Sequence, residues 1–217
     1  MDYSPLVLSL WVSVLATTII AIFGTLIAYV LARKRFLGRT MLDAFTTLPM
    51  ILPPTVTGYY LIILLGRNGI IGNYIYKLTG LSVMFTWQAA VIAATVVAIP
   101  IMIKSAKAAI ESVDLEYEKA AFTLGKTEIE TFFLVTLPLA KKGLIAGLVL
   151  SFARALGEFG ATIMIAGNIP GKTSTMPLAI YSAFQSGEDQ LAATLVIVLT
   201  VVSIAVIYIT TRISRTD

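Results

Sequence analysis

Two groups of charged residues stand where charge is costly or conspicuous, and they bound the chemistry open to this chain. Arg154 and Glu158 lie inside the apolar run from Gly143 to Gly167, where each would cost about 2.5–3.5 kcal/mol if it faced lipid. Their i, i+4 spacing puts them on one helix face, where they can pair. Such a pair either pins a helix within a bundle or belongs to a pathway. In a pathway for anions Glu158 would repel the cargo unless Arg154 neutralised it or the carboxylate turned aside. The second group is Glu118 to Gly125, reading Glu-Lys-Ala-Ala-Phe-Thr-Leu-Gly, with Leu137 and Pro138 downstream in the same polar stretch. From Asp114 to Leu124 apolar residues recur at helical intervals among acids and Lys119, which predicts a short amphipathic helix ending at Gly125. Adjacent Ala120 and Ala121 would let a second backbone approach closely. Acids and bases balance in number between Lys104 and Lys142, whereas a helix resting on anionic lipid would be mainly basic. A docking surface for a protein fits better than an interfacial helix.

Nothing in the residue inventory supplies a catalyst. The chain has neither His nor Cys, which removes disulfides, thiolate or imidazole metal sites and any His-based proton relay. It lacks a G-x-x-x-x-G-K-[ST] phosphate loop, so no ATP site is expected, and it lacks the G-x-S-x-G of a serine hydrolase. We therefore assign no catalytic, cofactor-binding or metal-ligating residue.

The elements that must position these groups follow from composition. With 58% hydrophobic and 13% charged residues in 217, and a mean hydropathy of +0.90, the chain reads as an all-α integral membrane protein. The net charge of +4 could suggest nucleic acid, but the bases sit in short loops beside apolar runs, where membrane topology accounts for them. The first apolar run, from Leu6, is longer than the roughly 7–15 residues of a signal-peptide core and is expected to stay in place. Taking about 20 apolar residues per crossing gives five spans, 6–31, 45–65, 83–103, 143–167 and 191–210, with a polar loop at 104–142. Arg33, Lys34, Arg35, Arg39, the bases of the polar loop, Arg212 and Arg215 fall on one side of such a topology, against Arg67, Lys77 and Lys172 on the other. The positive-inside rule then places the N-terminus outside, and the C-terminus and the 104–142 loop in the cytoplasm. No linker divides the chain, so residues 1–217 are read as a single domain.

Two segments break the pattern. In the second span Pro49, Pro53 and Pro54 remove amide donors, so a kinked, partly hydrated helix is expected, its freed carbonyls met by Thr46, Thr47, Thr55 and Thr57 or by neighbours. Pro53, Pro54, Thr55 and Thr57, with Arg154 and Glu158, are thus candidates for a pathway or a bundle core. The stretch 168–190 is too polar to cross, although Pro177 to Gln185 could form a short external or re-entrant helix. Small residues recur every four positions, at Gly24, Ala28 and Ala32; Ala90, Ala94 and Ala98; and Gly143, Gly147, Ser151 and Ala155. Such stripes let helices pack closely within lipid.

Glu118 to Gly125 with Leu137-Pro138 resembles the E-A-A-x-x-x-G cytoplasmic loop of ATP-binding-cassette importer permeases. The stretches from Leu48 to Gly72 and from Ser151 to Gln185 are similar to those of molybdate permease subunits, and the likeness runs from about Thr18 to Arg215. The resemblance implies a type I importer bundle in a bacterial or archaeal cell membrane. It also implies a homodimer, two cytoplasmic ATPase subunits that bring ATP and Mg, and an extracytoplasmic oxyanion-binding protein. On this resemblance Glu118, Ala120, Ala121, Gly125, Leu137 and Pro138 dock the ATPase, while Lys119 departs from the smaller or uncharged residue usual there. Tungstate or sulfate are alternative cargoes. A passive anion channel or a membrane scaffold is the alternative from another class.

Overall fold

The computed structural model describes residues 4–215; residues 1–3, 216 and 217 and the side chains at 209–211 and 213–215, including that of Arg215, lie outside the described residues. Every regular element among them is helical. Helix α1 (Pro5–Arg33) starts at Ser4, whose hydroxyl accepts from Val7 N–H at 3.3 Å, and Pro5 occupies a first-turn position where a missing donor costs nothing. It lies along α5 (Trp87–Glu111), which Thr86 caps, and along α9 (Lys141–Leu156). These three helices make most of the core, and Leu61, Ala161, Ile165 and Ala166 join it.

Small residues account for the close packing. Ala90, Ala94 and Ala98 are fully buried, in one core with Leu8, Val12, Ala16, Ile20 and Ala28 of the first helix. A methyl group added at Gly24 would come within 2.9 Å of the Met102 side chain, and one at Gly143 within 2.5 Å of Ala109. The stripes thus serve contacts within the chain. Outward, α1 presents Trp11, Ile22, Phe23 and Leu26, and α12 (Asp189–Arg215) exposes Ile197, Val201 and Ile204, apolar surfaces suited to lipid.

Three helices, Pro5–Arg33, Trp87–Glu111 and Asp189–Tyr208, are long and apolar enough to cross a membrane, and two bent pairs raise the number to as many as five. The expected boundaries shift in instructive ways. The helix that holds the third expected span runs from Trp87 to Glu111, longer than the apolar stretch itself. Within that helix Lys104 and Lys107 both pair with Asp43, at 2.7 and 2.8 Å.

The second span is a sharp break instead of a kink. Helices α2 (Arg39–Ile51) and α3 (Pro54–Leu65) meet at 116°. Consecutive prolines remove two donors, and Pro54 holds Pro53 in an extended conformation with φ −53° and ψ 137°. The expected threonine support is displaced: Thr46 and Thr47 both donate to the Asp43 carbonyl, at 3.1 and 2.6 Å, one turn upstream of the break. Beyond α3, a short α4 (Gly72–Thr79) closes the connection.

The fourth span is also interrupted, at Gly157 to Phe159, between α9 and α10 (Gly160–Ala166). The 104–142 stretch is itself ordered into α6 (Leu115–Thr123), α7 (Glu128–Thr131), a π-helical turn at Phe132–Thr136 and α8 (Leu137–Leu139). The segment Glu128–Leu139 turns by 77° into α9. Helix α11 (Met176–Gln185) forms where a short helix was anticipated. It tucks back onto α1, the Met176 N–H donating to the Ser9 hydroxyl at 2.7 Å in a buried contact.

Candidate functional site

The short amphipathic helix is present and its ends are strongly specified. The Asp114 carboxylate accepts from Glu116 N–H at 3.0 Å and caps the N-terminus, whose dipole also favours the acids of the first turn. At the other end Gly125 has φ 79°, the left-handed conformation that glycine adopts without strain. Gly125 N–H donates to Phe122 C=O at 3.0 Å and Lys126 N–H to Ala121 C=O at 3.1 Å. These paired bonds are a Schellman closure that stops the rod where the spacing predicted.

The faces of that rod are not as the pattern suggested. Leu115, Tyr117, Ala120, Phe122 and Leu124 are exposed, whereas Glu118 and Ala121 are buried. Glu118 therefore belongs to the inner face. Its Oε1 receives Arg33 Nε at 2.9 Å and the Thr136 hydroxyl at 2.8 Å, and the same guanidinium donates through Nη2 to the Val113 carbonyl at 2.9 Å. Leu137 is half-buried, and Pro138 and Gly125 are exposed.

A second tie runs alongside. Thr127 and Glu130 form a reciprocal capping box at the start of α7. That turn presents Glu128 to Lys34 at 2.6 Å and to the Tyr29 hydroxyl at 3.1 Å. The Lys34 ammonium holds the Glu128 carboxyl below its usual range, with the Tyr29 hydroxyl assisting. Tyr29 also meets Phe132 edge-on, with ring centroids 4.7 Å apart.

The predicted pair inside the fourth span forms, with Arg154 Nη1 2.8 Å from Glu158 Oε2, but not along one continuous helix. Glu158 follows the end of α9 and its Oε1 accepts from Ala161 N–H at 2.8 Å, so the same side chain caps α10. The carboxylate is both neutralised and buried. Its Oε2 makes a charge contact without an aligned hydrogen bond.

The two interruptions touch one another. A Cβ on Gly160 would lie 2.8 Å from Pro54 Cβ, and one on Gly58 would lie 2.7 Å from Met164. Of the remaining candidates, Pro53 and Thr55 are exposed at this junction, Pro54 is half-buried, and Thr57 is buried with a hydroxyl that has no hydrogen-bond partner.

Sequence reasoning missed Arg33 and Thr136 as partners of Glu118, and the Lys34–Glu128 tie between α1 and α7 beside them. Asp43, the sole acid between Asp2 and Glu111, was a signal for a different tie: its two lysine partners join α2 to α5.

Comparison with known proteins fits this architecture. The family described as "Binding-protein-dependent transport system inner membrane component" matches residues 20–216. The molybdenum transport system permease protein ModB of Haemophilus influenzae is 45% identical over 194 residues, covering 88% of this chain and 85% of that protein. The protein of the same name from Escherichia coli K12 is 43% identical over 218 residues, covering 99% and 95%. Among solved structures, one described as a bacterial ABC transporter involved in the import of the acidic polysaccharide alginate superposes with a TM-score of 0.71. Its identity is 18%, and the match covers 96% of this chain and 78% of the other.

Proposed function

Because the chain belongs to the inner membrane components of binding-protein-dependent transport systems, we propose that it is the permease of an ATP-driven importer of a tetrahedral oxyanion, molybdate. One observation carries the reading: the likeness to molybdenum permeases extends over almost the full length of both proteins. Two copies of the chain would enclose the pathway, with the end carrying α6 in the cytoplasm and the N-terminus outside. Two ATPase subunits would supply the nucleotide chemistry, and an external oxyanion-binding protein the selection.

The exposed side of α6, with Ala120, Phe122, Leu124 and Gly125, suits a cleft on an ATPase subunit. Ala121 and Glu118 support that face from behind. Closure of the ATPase pair on ATP would move both rods and alternate the cavity between its outward and inward openings. The abutting breaks at Pro53-Pro54 and Gly157–Gly160 suit such a change, since backbone that has already left the helical ladder can rotate without breaking more hydrogen bonds. A dianion passing there would meet the exposed Thr55 and the half-buried Arg154, with Glu158 screened from it.

The test is uptake of labelled molybdate into proteoliposomes holding the chain, its ATPase and the binding protein. Uptake requiring ATP hydrolysis, displaced by tungstate and poorly by sulfate, is expected. Uptake that persists without an ATPase would make the chain a passive channel, and preference for sulfate would reassign the cargo.

A further inference from the structure

Helix α6 is suspended between two turns, and its backbone packs mainly on α7 and the π-helical turn. A rod held only by those connections would deliver its motion along the chain, into α7 and then α9. The side chains add a different route. Arg33, at the last turn of α1, bonds at once to Glu118 in the middle of the rod and to the carbonyl of Val113, in the corner that joins α5 to the rod. Thr136, in the π-helical turn, closes the same carboxylate oxygen from the other side. Arg33 and Glu118 side chains are only 10% and 8% exposed. Water has little access to replace these bonds one at a time, so the group tends to move as a unit.

The π-helical turn contributes to this closure. A π turn admits an extra residue into the helical ladder and re-aims the side chains that follow, and Thr136 sits at its end with no surface exposed. The neighbouring Lys34–Glu128 pair lies on the same end of α1 but is about half exposed on both sides, so it is screened and exchangeable. Of the two ties, the buried one is suited to carry load.

We propose that Arg33 is a positioning residue for energy coupling: it clamps the docking rod to α1, so that force on α6 is delivered to α1 and, through the α1 core contacts, to α5 and α9. Glu118 then acts inside this chain rather than as a contact for the ATPase. The inference rests on the transport reading above, and its test separates the two.

The complete complex with its ATPase and binding protein is reconstituted, and molybdate uptake per ATP hydrolysed is compared with that of Arg33→Ala and of the paired change Arg33→Met with Glu118→Gln. The pair removes the clamp without leaving a buried charge, so folding and ATPase binding should hold. Hydrolysis should continue while uptake per ATP falls about tenfold, within the usual range of a coupling between sites. Arg33→Lys, which keeps the charge but cannot fork to both Glu118 and Val113, should give an intermediate ratio. Because the chain contains no cysteine, spin labels can be placed cleanly at Lys119→Cys on the rod and Leu26→Cys on α1. Their separation should stay constant through the ATP cycle in the otherwise unaltered complex and change in the paired variant. An unchanged uptake ratio in the paired variant, or labels that separate on ATP binding with the clamp intact, would overturn the inference. Absence of ATP-driven uptake in the unaltered complex would strike at the transport reading instead, and the label separation would still decide the clamp.

Discussion

Arg33–Glu118 and Arg154–Glu158 are arginine–glutamate pairs of similar length, at 2.9 and 2.8 Å, and they differ in what surrounds them. At the α1–α6 corner Arg33 and Glu118 are both shielded, at 10% and 8% side-chain exposure, and Thr136 and Val113 complete the network. At the break in the fourth span Glu158 is shielded at 2% while Arg154 is 32% exposed, and one carboxylate oxygen lacks an aligned donor. A closed network of this kind resists rearrangement, because any partial opening strands a buried charge. A half-open one leaves its arginine free to turn toward a new anion. The first arrangement fits a mechanical joint and the second a place where the pathway changes.

Substitutions put that contrast to the test. The largest effect is expected for Arg33→Ala, which strands Glu118 and should cost about 3 kcal/mol, at the low end for a broken buried pair because Thr136 still donates. Thermal unfolding in detergent reads it, and adding Glu118→Gln should recover more than half of the loss. If the second change restored nothing, the penalty would not come from the stranded charge. Next comes the junction of the two breaks. Gly160→Val forces side-chain atoms against Pro54, 2.8 Å from the first carbon added, and should cost about 2 kcal/mol as overpacking. Gly157→Ala, whose new methyl would meet only the Ala153 carbonyl at 3.7 Å, should be silent in the same assay.

Arg154→Ala should cost less than Arg33→Ala, about 1–2 kcal/mol, because its partner keeps the Ala161 amide and the guanidinium was already partly solvated. An equal or larger loss would show that both pairs are closed joints. The smallest effect concerns Lys34–Glu128. The native Glu128 carboxyl titrates below its ordinary 4.5, so its contribution is fully present above that value and is lost as the pH falls through the lower native one. Being about half exposed, it should be worth under about 1 kcal/mol. Melting curves of wild type and Glu128→Gln should therefore converge as the pH drops below 4.5.

The docking rod was legible because its signals are local. Asp114 can cap only the residues just after it, and Gly125 can adopt φ 79° with no help from elsewhere. The side of the rod that faces the protein was not legible. Glu118 looked like surface in a stretch of alternating charge, and only Arg33, far away in sequence, makes its burial tolerable. The second and fourth spans show the same division. Pro53 and Pro54 announced a disturbance, but whether it would be a kink or a 116° break depended on Gly160 giving room for Pro54. Lys104 and Lys107 gave no local sign of their shared partner Asp43, which lies more than sixty residues earlier for both.

Local pattern was enough for the all-helical membrane class, the small-residue seams and the capped rod, since hydropathy, backbone donors and glycine conformation act over a few residues. The tertiary structure alone decided which charges are partners, which face of α6 is turned inward and where two broken helices abut. Those outcomes depend on the desolvation of one charge by residues scores of positions away, and no local pattern encodes that distance.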